Sequence, residues 1–178
     1  FDKTIAGVSL GRTFGIEMAK ADPKVKIGLI PCAVGGTPIR RWQQNGDLYK
    51  AALKRAKIAQ KDGVIKGILW HQGESDSGKE VTAKIYEQQL HAMVAAWRKD
   101  LGDKAIPIAV GEMGRFFKAA KFKPTVDAAL KALPGNVKHA AWVSAEGLEH
   151  KGDVVHFNAA GYREFGKRYA AKMQALIK

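Results

Sequence analysis

Four short, nearly continuous apolar runs divide this chain, at 25–32, 64–70, 105–111 and 137–144, and each stops abruptly at polar or glycine-rich residues. Between them, apolar positions recur every three or four residues over 48–60, 79–98 and 124–133, the spacing of one helical face. The second of these is the clearest, with Val81, Ile85, Tyr86, Leu90, Met93, Val94 and Trp97 on one side. The last stretch sets Tyr162, Phe165, Tyr169, Met173, Leu176 and Ile177 at the same spacing, with Asn158 placed to cap its start. Aromatics on a helical stripe read as core rather than as a ligand platform. Apolar strands alternating with amphipathic helices predict right-handed crossovers and a parallel sheet covered on both faces. The fold class is therefore α/β, a three-layer α/β/α sandwich. With no internal repeat, low-complexity tract or linker, residues 1–178 read as one domain.

Composition adjusts this picture little. A chain of 178 residues, 46% of them hydrophobic, can bury a substantial core. It holds no unbroken apolar stretch long enough to span a bilayer, and no secretory leader opens it. Because it begins with Phe1 rather than Met, the chain is expected to start inside a longer gene product. Cys32 is the only thiol, which excludes an internal disulfide, and at the end of an apolar run it reads as a small hydrophobe. The net charge of +13 invites a polyanion partner. Yet the cations are spread over helix faces, as at Lys50, Lys54, Arg55, Lys57 and Lys61. The local concentrations at Arg40–Arg41 and 118–123 interleave with no stacking aromatics, so a basic solvated surface is the better reading than a nucleic-acid site.

In a parallel α/β sheet, ligands bind outside the carboxyl ends of the strands. Polar clusters follow the strands here too. The first run ends in Gly35-Gly36-Thr37, where paired glycines permit close backbone approach and can aim N–H groups at a developing oxyanion. A tight turn needing positive φ is an equal reading, and no Lys-Ser/Thr follows to make a phosphate loop. After the second run comes His71-Gln72-Gly73-Glu74-Ser75-Asp76. Gln72 could donate its amide to a carbonyl oxygen, and Glu74 could orient an imidazole. His71, Glu74, Asp76, Asp153 and His156 are also possible metal ligands, although their spacing matches no common zinc signature. Ser75 and Ser77 follow acids and lack the Gly-x-Ser-x-Gly elbow. Asp153 precedes His156 by three residues in a loop before a helix, where a carboxylate can hold one ring nitrogen while the other faces substrate. The alternative is a capping Asp beside a surface His. His91, His139 and His150 are poor candidates, lying in a long helix, before a strand and in a charged loop.

Three blocks carry a family resemblance: Ile-Pro-Cys-Ala-Val-Gly-Gly-Thr at 30–37, Leu-Trp-His-Gln-Gly-Glu-Ser-Asp at 69–76, and Asp-Val-Val-His-Phe at 153–157. Together they resemble SGNH-type carbohydrate esterases, and most nearly the sialate O-acetylesterase and acetylxylan esterase group, carbohydrate esterase family six. Asp47-Leu48-Tyr49 and the opening Gly-Val-Ser-Leu-Gly at 7–11 with Phe14 are also similar to that group. The resemblance implies a flavodoxin-like sheet and removal of acetyl groups from a sugar or polysaccharide, of xylan or sialic-acid type, through an acyl-enzyme. It implies His156 as base, Asp153 as its orienting carboxylate and Glu74 as a rival or additional acid. Gly35, Gly36, Gln72 and Gly73 would bind the oxyanion or substrate. No cofactor, metal, nucleic acid or membrane enters, and an extracellular or periplasmic location is implied.

One departure from the family pattern is large. Its nucleophile lies in a Gly-Gln-Ser-Asn block on the first strand, and residues 1–178 contain no such block. Ser9 falls in a segment resembling a later part of the pattern, and Ser144 has no glycine pair beside it. The expectation is an esterase whose sheet is completed by an N-terminal segment or second chain, bringing a Ser within reach of His156. A glycan-binding relative without the nucleophile and a metal-dependent hydrolase are the alternatives. Joint retention of Gln72, Glu74, Asp153 and His156 speaks against a pure binder.

Overall fold

The computed structural model describes residues 7–177. In chain order these form α1 (Leu10–Ala21), α2 (Asp47–Ala59), β1 (Ile68–Trp70), α3 (Glu80–Leu101), β2 (Ile108–Gly111), α4 (Lys123–Asn136), β3 (Ala140–Val143) and α5 (Ala159–Leu176), with 3₁₀ turns at Ile39–Trp42 and Glu74–Asp76. The three strands make one parallel sheet in the order β1-β2-β3, with Ile68 opposite Ile108 and Ile108 opposite Ala140.

The layers follow from the two-residue period of the strands. Ile108 and Val110 point into a core shared with α2, α3 and α4, as do Ile68 and Trp70. Ala109, Leu69 and Val143 point the other way, against α1 and α5 through Phe14, Met18, Phe165, Tyr169 and Met173. The result is the expected α/β/α sandwich, with every residue of β2 buried. Trp70 anchors the end of β1: its indole N–H donates to Tyr86 Oη at 3.2 Å, and Tyr169 Oη donates to the Trp70 carbonyl at 2.7 Å.

Local signals account for most helix ends. Asn158 caps α5 by accepting the Gly161 N–H at 2.7 Å. Gly102 ends α3 in the left-handed conformation at φ 84°, after Arg98 and Lys99 in the last turn. Two elements depart from the sequence-based expectation. Helix α4 continues past 133 through Pro134 to Asn136, since a proline in the last turn costs it little further hydrogen bonding. Helix α1 was not expected at all. Gly11 and Gly15 weaken its intrinsic propensity, and it forms because α5 packs closely on it. A Cβ on Gly166 would lie 2.5 Å from the Leu10 carbonyl oxygen, so that glycine sets the closeness of the two helices.

The expected first strand at 25–32 requires a correction. Residues 26–34 form neither helix nor turn, and among the described residues they join no ladder. Their side chains still alternate as a sheet member's would. Ile30, Cys32 and Val34 reach the core beneath α2, whereas Ile27 reaches the core of α1 and α5. Val25 and Leu29 are each 47% exposed. An apolar segment needs a hydrogen-bonded neighbour to become a strand, and sequence pattern alone does not supply one. The outer edge of β1 is likewise unpaired among the described residues. No described helix is long and apolar enough to cross a membrane.

Candidate active site

The loop leaving the carboxyl end of β1 is tied to residues 37–39 by a small polar network. At its centre is Asp76, only 2% exposed, whose Oδ2 accepts the Ile39 N–H at 2.9 Å and the Gln72 amide at 2.6 Å. Burial raises the Asp76 carboxyl above its ordinary range, against the lowering effect of these donors and of Arg40. Gln72 Nε2 also donates to the Thr37 carbonyl at 3.1 Å, and Gln72 Oε1 accepts from Tyr86 Oη at 3.1 Å. Both amide protons of Gln72 are thus committed inside the protein. Gln72 positions the turn at 35–37 and is not free to donate to an oxyanion, which alters the role expected for its side chain. Gly73 is buried, and a Cβ there would lie 2.7 Å from Met113 Sδ, so it serves packing.

Gly35 and Gly36 are exposed, and Gly36 adopts φ 70°, a conformation that favours glycine. The turn they form is fastened by Thr37, whose Oγ1 donates to the Val34 carbonyl at 2.8 Å and accepts from the Trp42 indole at 3.1 Å. A rigid exposed glycine pair of this kind is suited to presenting backbone N–H groups to an anion.

Asp153 and His156 meet. His156 Nδ1 lies 2.6 Å from Asp153 Oδ2, and Asp153 Oδ1 accepts the N–H groups of Val155 at 3.0 Å and of His156 at 2.8 Å. Hydrogen bonds from the His156 backbone and then its ring hold the Asp153 carboxyl well below the usual carboxylate range. The ring itself is 57% exposed and its Nε2 has no partner among the described residues. This is the geometry of an imidazole oriented on one side and available on the other. Phe157 fixes the loop against its neighbours, with its ring 5.6 Å from His71 and 5.1 Å from Phe116. Those residues belong to the loops after β1 and β2, so the pair sits at the carboxyl end of the sheet.

His71 and Glu74 form a looser arrangement. His71 Nε2 is 3.9 Å from Glu74 Oε1, and burial lowers the imidazole below its ordinary range while Glu74 opposes the shift. The ring packs on Phe157 and Phe165, over Gly111, where a Cβ would come within 2.9 Å of Nδ1. Glu74 and Asp153 nonetheless share a neighbour. Tyr162 is raised above the ordinary phenol range by burial first and then by both carboxylates. The potential metal ligands do not gather, since no described group of three or more His, Cys, Asp or Glu is placed around a common point.

Sequence reading missed a third carboxylate at the strand ends. Glu112, directly after β2, accepts the Ala145 N–H at 2.7 Å and the Ser144 hydroxyl at 3.2 Å, and pairs with Arg115 at 2.9 Å. The signal was available in Gly111-Glu112, an acid at a strand end like Glu74. Its commitments make it a brace between the loops after β2 and β3. They also occupy Ser144. Ser77 is fully buried and donates to the Gly73 carbonyl at 2.8 Å. Both hydroxyls are engaged within the protein.

Comparison with known proteins bears on the family and the fold. Residues 1–175 match the family model described as carbohydrate esterase, sialic acid-specific acetylesterase. A probable carbohydrate esterase of Arabidopsis thaliana is 30% identical over 168 residues, which cover 91% of this chain and 62% of that protein. The chain therefore spans about three fifths of that relative's length. The X-ray structure of the Arabidopsis protein superposes with a TM-score of 0.88 at 29% identity, covering 96% of this chain and 70% of that one. A carbohydrate acetylesterase from Xanthomonas citri shares the fold at a TM-score of 0.79 and 22% identity, over 94% of this chain and 41% of its own. NanS shares it at 0.66 and 19%, over 75% of this chain and 54% of its own. With the parallel sandwich, the oriented imidazole and the family match in place, this chain belongs to the carbohydrate esterase, sialic acid-specific acetylesterase family.

Proposed function

We propose that this protein takes part in removing O-acetyl groups from an acetylated carbohydrate, of sialic-acid or xylan type, through a serine acyl-enzyme. The observation that carries the reading is the 2.6 Å contact between His156 and Asp153 with the opposite ring nitrogen open. In the reaction a serine hydroxyl gives its proton to His156 Nε2 as its oxygen attacks the acetyl carbonyl. The carbonyl oxygen becomes an oxyanion, for which the backbone of Gly35–Gly36 is the proposed donor. Collapse expels the sugar oxygen, which takes the proton from His156. Water, activated by the same nitrogen, then releases acetate and regenerates the serine. Asp153 keeps the ring in the correct tautomer and stabilises its cation. Glu74 is the second acid of the site. The test is hydrolysis of para-nitrophenyl acetate and of acetylated xylan and sialic acid by the full-length protein, with acetate release measured before and after exhaustive chelation. Chelator-resistant release is expected. Loss of activity restored by zinc would replace this mechanism with a metal-dependent one.

The serine and the unpaired strand edges have one common solution. We place a further parallel strand, from polypeptide outside residues 1–178, between the apolar segment 26–34 and β1. Such a strand would satisfy the outer edge of β1, cover Leu29, and deliver a side chain to the carboxyl end beside His156. Each backbone group left buried and unpaired costs about 1–3 kcal/mol, against a domain stability of about 5–15 kcal/mol, so the effect should be large. Residues 1–178 are expected to unfold at markedly lower urea concentration than the full-length protein, with fast amide exchange across 26–34 and 68–70 that slows in the longer chain. Equal midpoints and equal exchange would remove the added strand from the proposal.

A further inference from the structure

His150, which sequence reading set aside as a histidine in a charged loop, has a defined structural task. The loop 150–157 folds back on itself through an antiparallel bridge between His150 and Phe157, closed by Lys151 N–H to the His156 carbonyl at 3.0 Å and Asn158 N–H to the Glu149 carbonyl at 2.9 Å. To make this turn the backbone takes positive φ twice, at Gly152 (116°) and at Val154 (53°). Glycine accepts that conformation readily, whereas a β-branched residue seldom does. Val154 is 51% exposed, so burial of its side chain does not hold it there.

Two side chains do. Asp153 Oδ1 captures the N–H groups of Val155 and His156, and His150 Nδ1 accepts those of Gly152 at 3.0 Å and Val154 at 3.4 Å. The imidazole is itself fixed by Phe116, 5.3 Å away and tilted 59°, and Phe116 also touches Phe157. Both sides of the strained residue are therefore clamped, one by the carboxylate of the candidate pair and the other by a histidine outside it. An imidazole can accept at Nδ1 only if its single proton is on Nε2.

We propose that His150 is a positioning residue for the Asp153–His156 pair, its Nδ1 lone pair holding the loop in the left-handed turn that brings carboxylate and imidazole together. The proposal rests on the reading of His156 as the base. It separates from that reading because the tautomer and the loop geometry can be measured without turnover.

The experiment uses the full-length protein and two substitutions. His150→Asn retains an acceptor, since the Asn side-chain oxygen is the same number of bonds from the backbone as His Nδ1. His150→Leu removes the acceptor and keeps an apolar side chain against Phe116. With para-nitrophenyl acetate, His150→Leu should lower kcat about 10- to 100-fold at nearly unchanged KM, the scale of losses from slight misplacement of a reacting group. His150→Asn should stay within about threefold of the unsubstituted protein. Nitrogen-15 NMR of the unsubstituted protein at pH 8 should find the His150 proton on Nε2, and amide exchange at Gly152 and Val154 should accelerate in the Leu variant only. Wild-type kcat in His150→Leu overturns the proposal, as do equal losses in both variants or a proton on Nδ1. Full turnover in His156→Ala would instead sink the base assignment, leaving the tautomer and exchange measurements as the test of the clamp.

Discussion

Replacing His156 by Ala should lower kcat for acetyl-ester hydrolysis by about 10³- to 10⁴-fold while leaving the thermal midpoint nearly unchanged. The two halves of that expectation have separate physical grounds. The imidazole is 57% exposed and its recorded polar contact is with Asp153, so its removal opens no cavity and strips no core contact. Stability should change little, because a pair this exposed contributes little to it. The rate should fall, because a serine hydroxyl is a weak nucleophile unless a base takes its proton as it attacks. Steady-state kinetics on para-nitrophenyl acetate, beside a thermal melt of the same preparation, provide the check. A variant that keeps wild-type kcat would disprove the assignment of His156. A variant that melts well below the parent would make the residue structural instead.

The second large effect is expected at Asp153. Changing it to Asn leaves the side-chain shape in place but offers the ring an amide instead of a carboxylate, which disfavours the productive tautomer and withdraws stabilisation of the cation. Comparable substitutions reduce kcat by up to about 10⁴-fold, with little change in KM. Glu74→Gln should cost far less, since Glu74 stands 3.9 Å from His71, whereas Asp153 is 2.6 Å from His156. A greater loss in Glu74→Gln than in Asp153→Asn would exchange the two roles. The pH dependence has a definite sign. Hydrogen bonds from the His156 backbone and ring lower the Asp153 pKa, so the folded protein favours the anion. The stabilisation this confers is complete above the ordinary carboxylate range and disappears only as pH falls through the lowered value. Asp153 therefore remains ionised throughout the neutral range, and its titration should add no step to the rate profile between about pH 5 and pH 9.

The site's weak points are as instructive as its strong ones. Gln72 had the right chemistry for an oxyanion donor, yet both of its amide protons are consumed by Thr37 and Asp76. It ties Thr37, next to the turn at Gly35–Gly36, to the loop after β1. Asp76 was a conceivable metal ligand and instead joins the 3₁₀ turn at Ile39–Trp42 to the loop after β1.

Much of this was determined by the sequence alone, because some signals are local. Short, nearly continuous apolar runs and the 3.6-residue period identified all three strands of the sheet and most helices, and Asn158 marked the start of α5 through a cap that needs only nearby backbone. Asp153 and His156 could be paired from their three-residue spacing, since a turn of that length brings carboxylate and ring together. Other features depend on residues far apart in the chain, which no local pattern encodes. Helix α1 exists because Gly166 lets α5 approach its backbone, and two glycines hid it from any propensity argument. The run at 25–32 had the composition of a strand, but a strand is completed only by hydrogen bonds to a neighbour. The clamp on Val154 joins a histidine, a carboxylate and a phenylalanine from another loop, and only the folded chain puts them in contact. Local chemistry is legible residue by residue, whereas the partners of a buried or strained group are decided when distant segments pack.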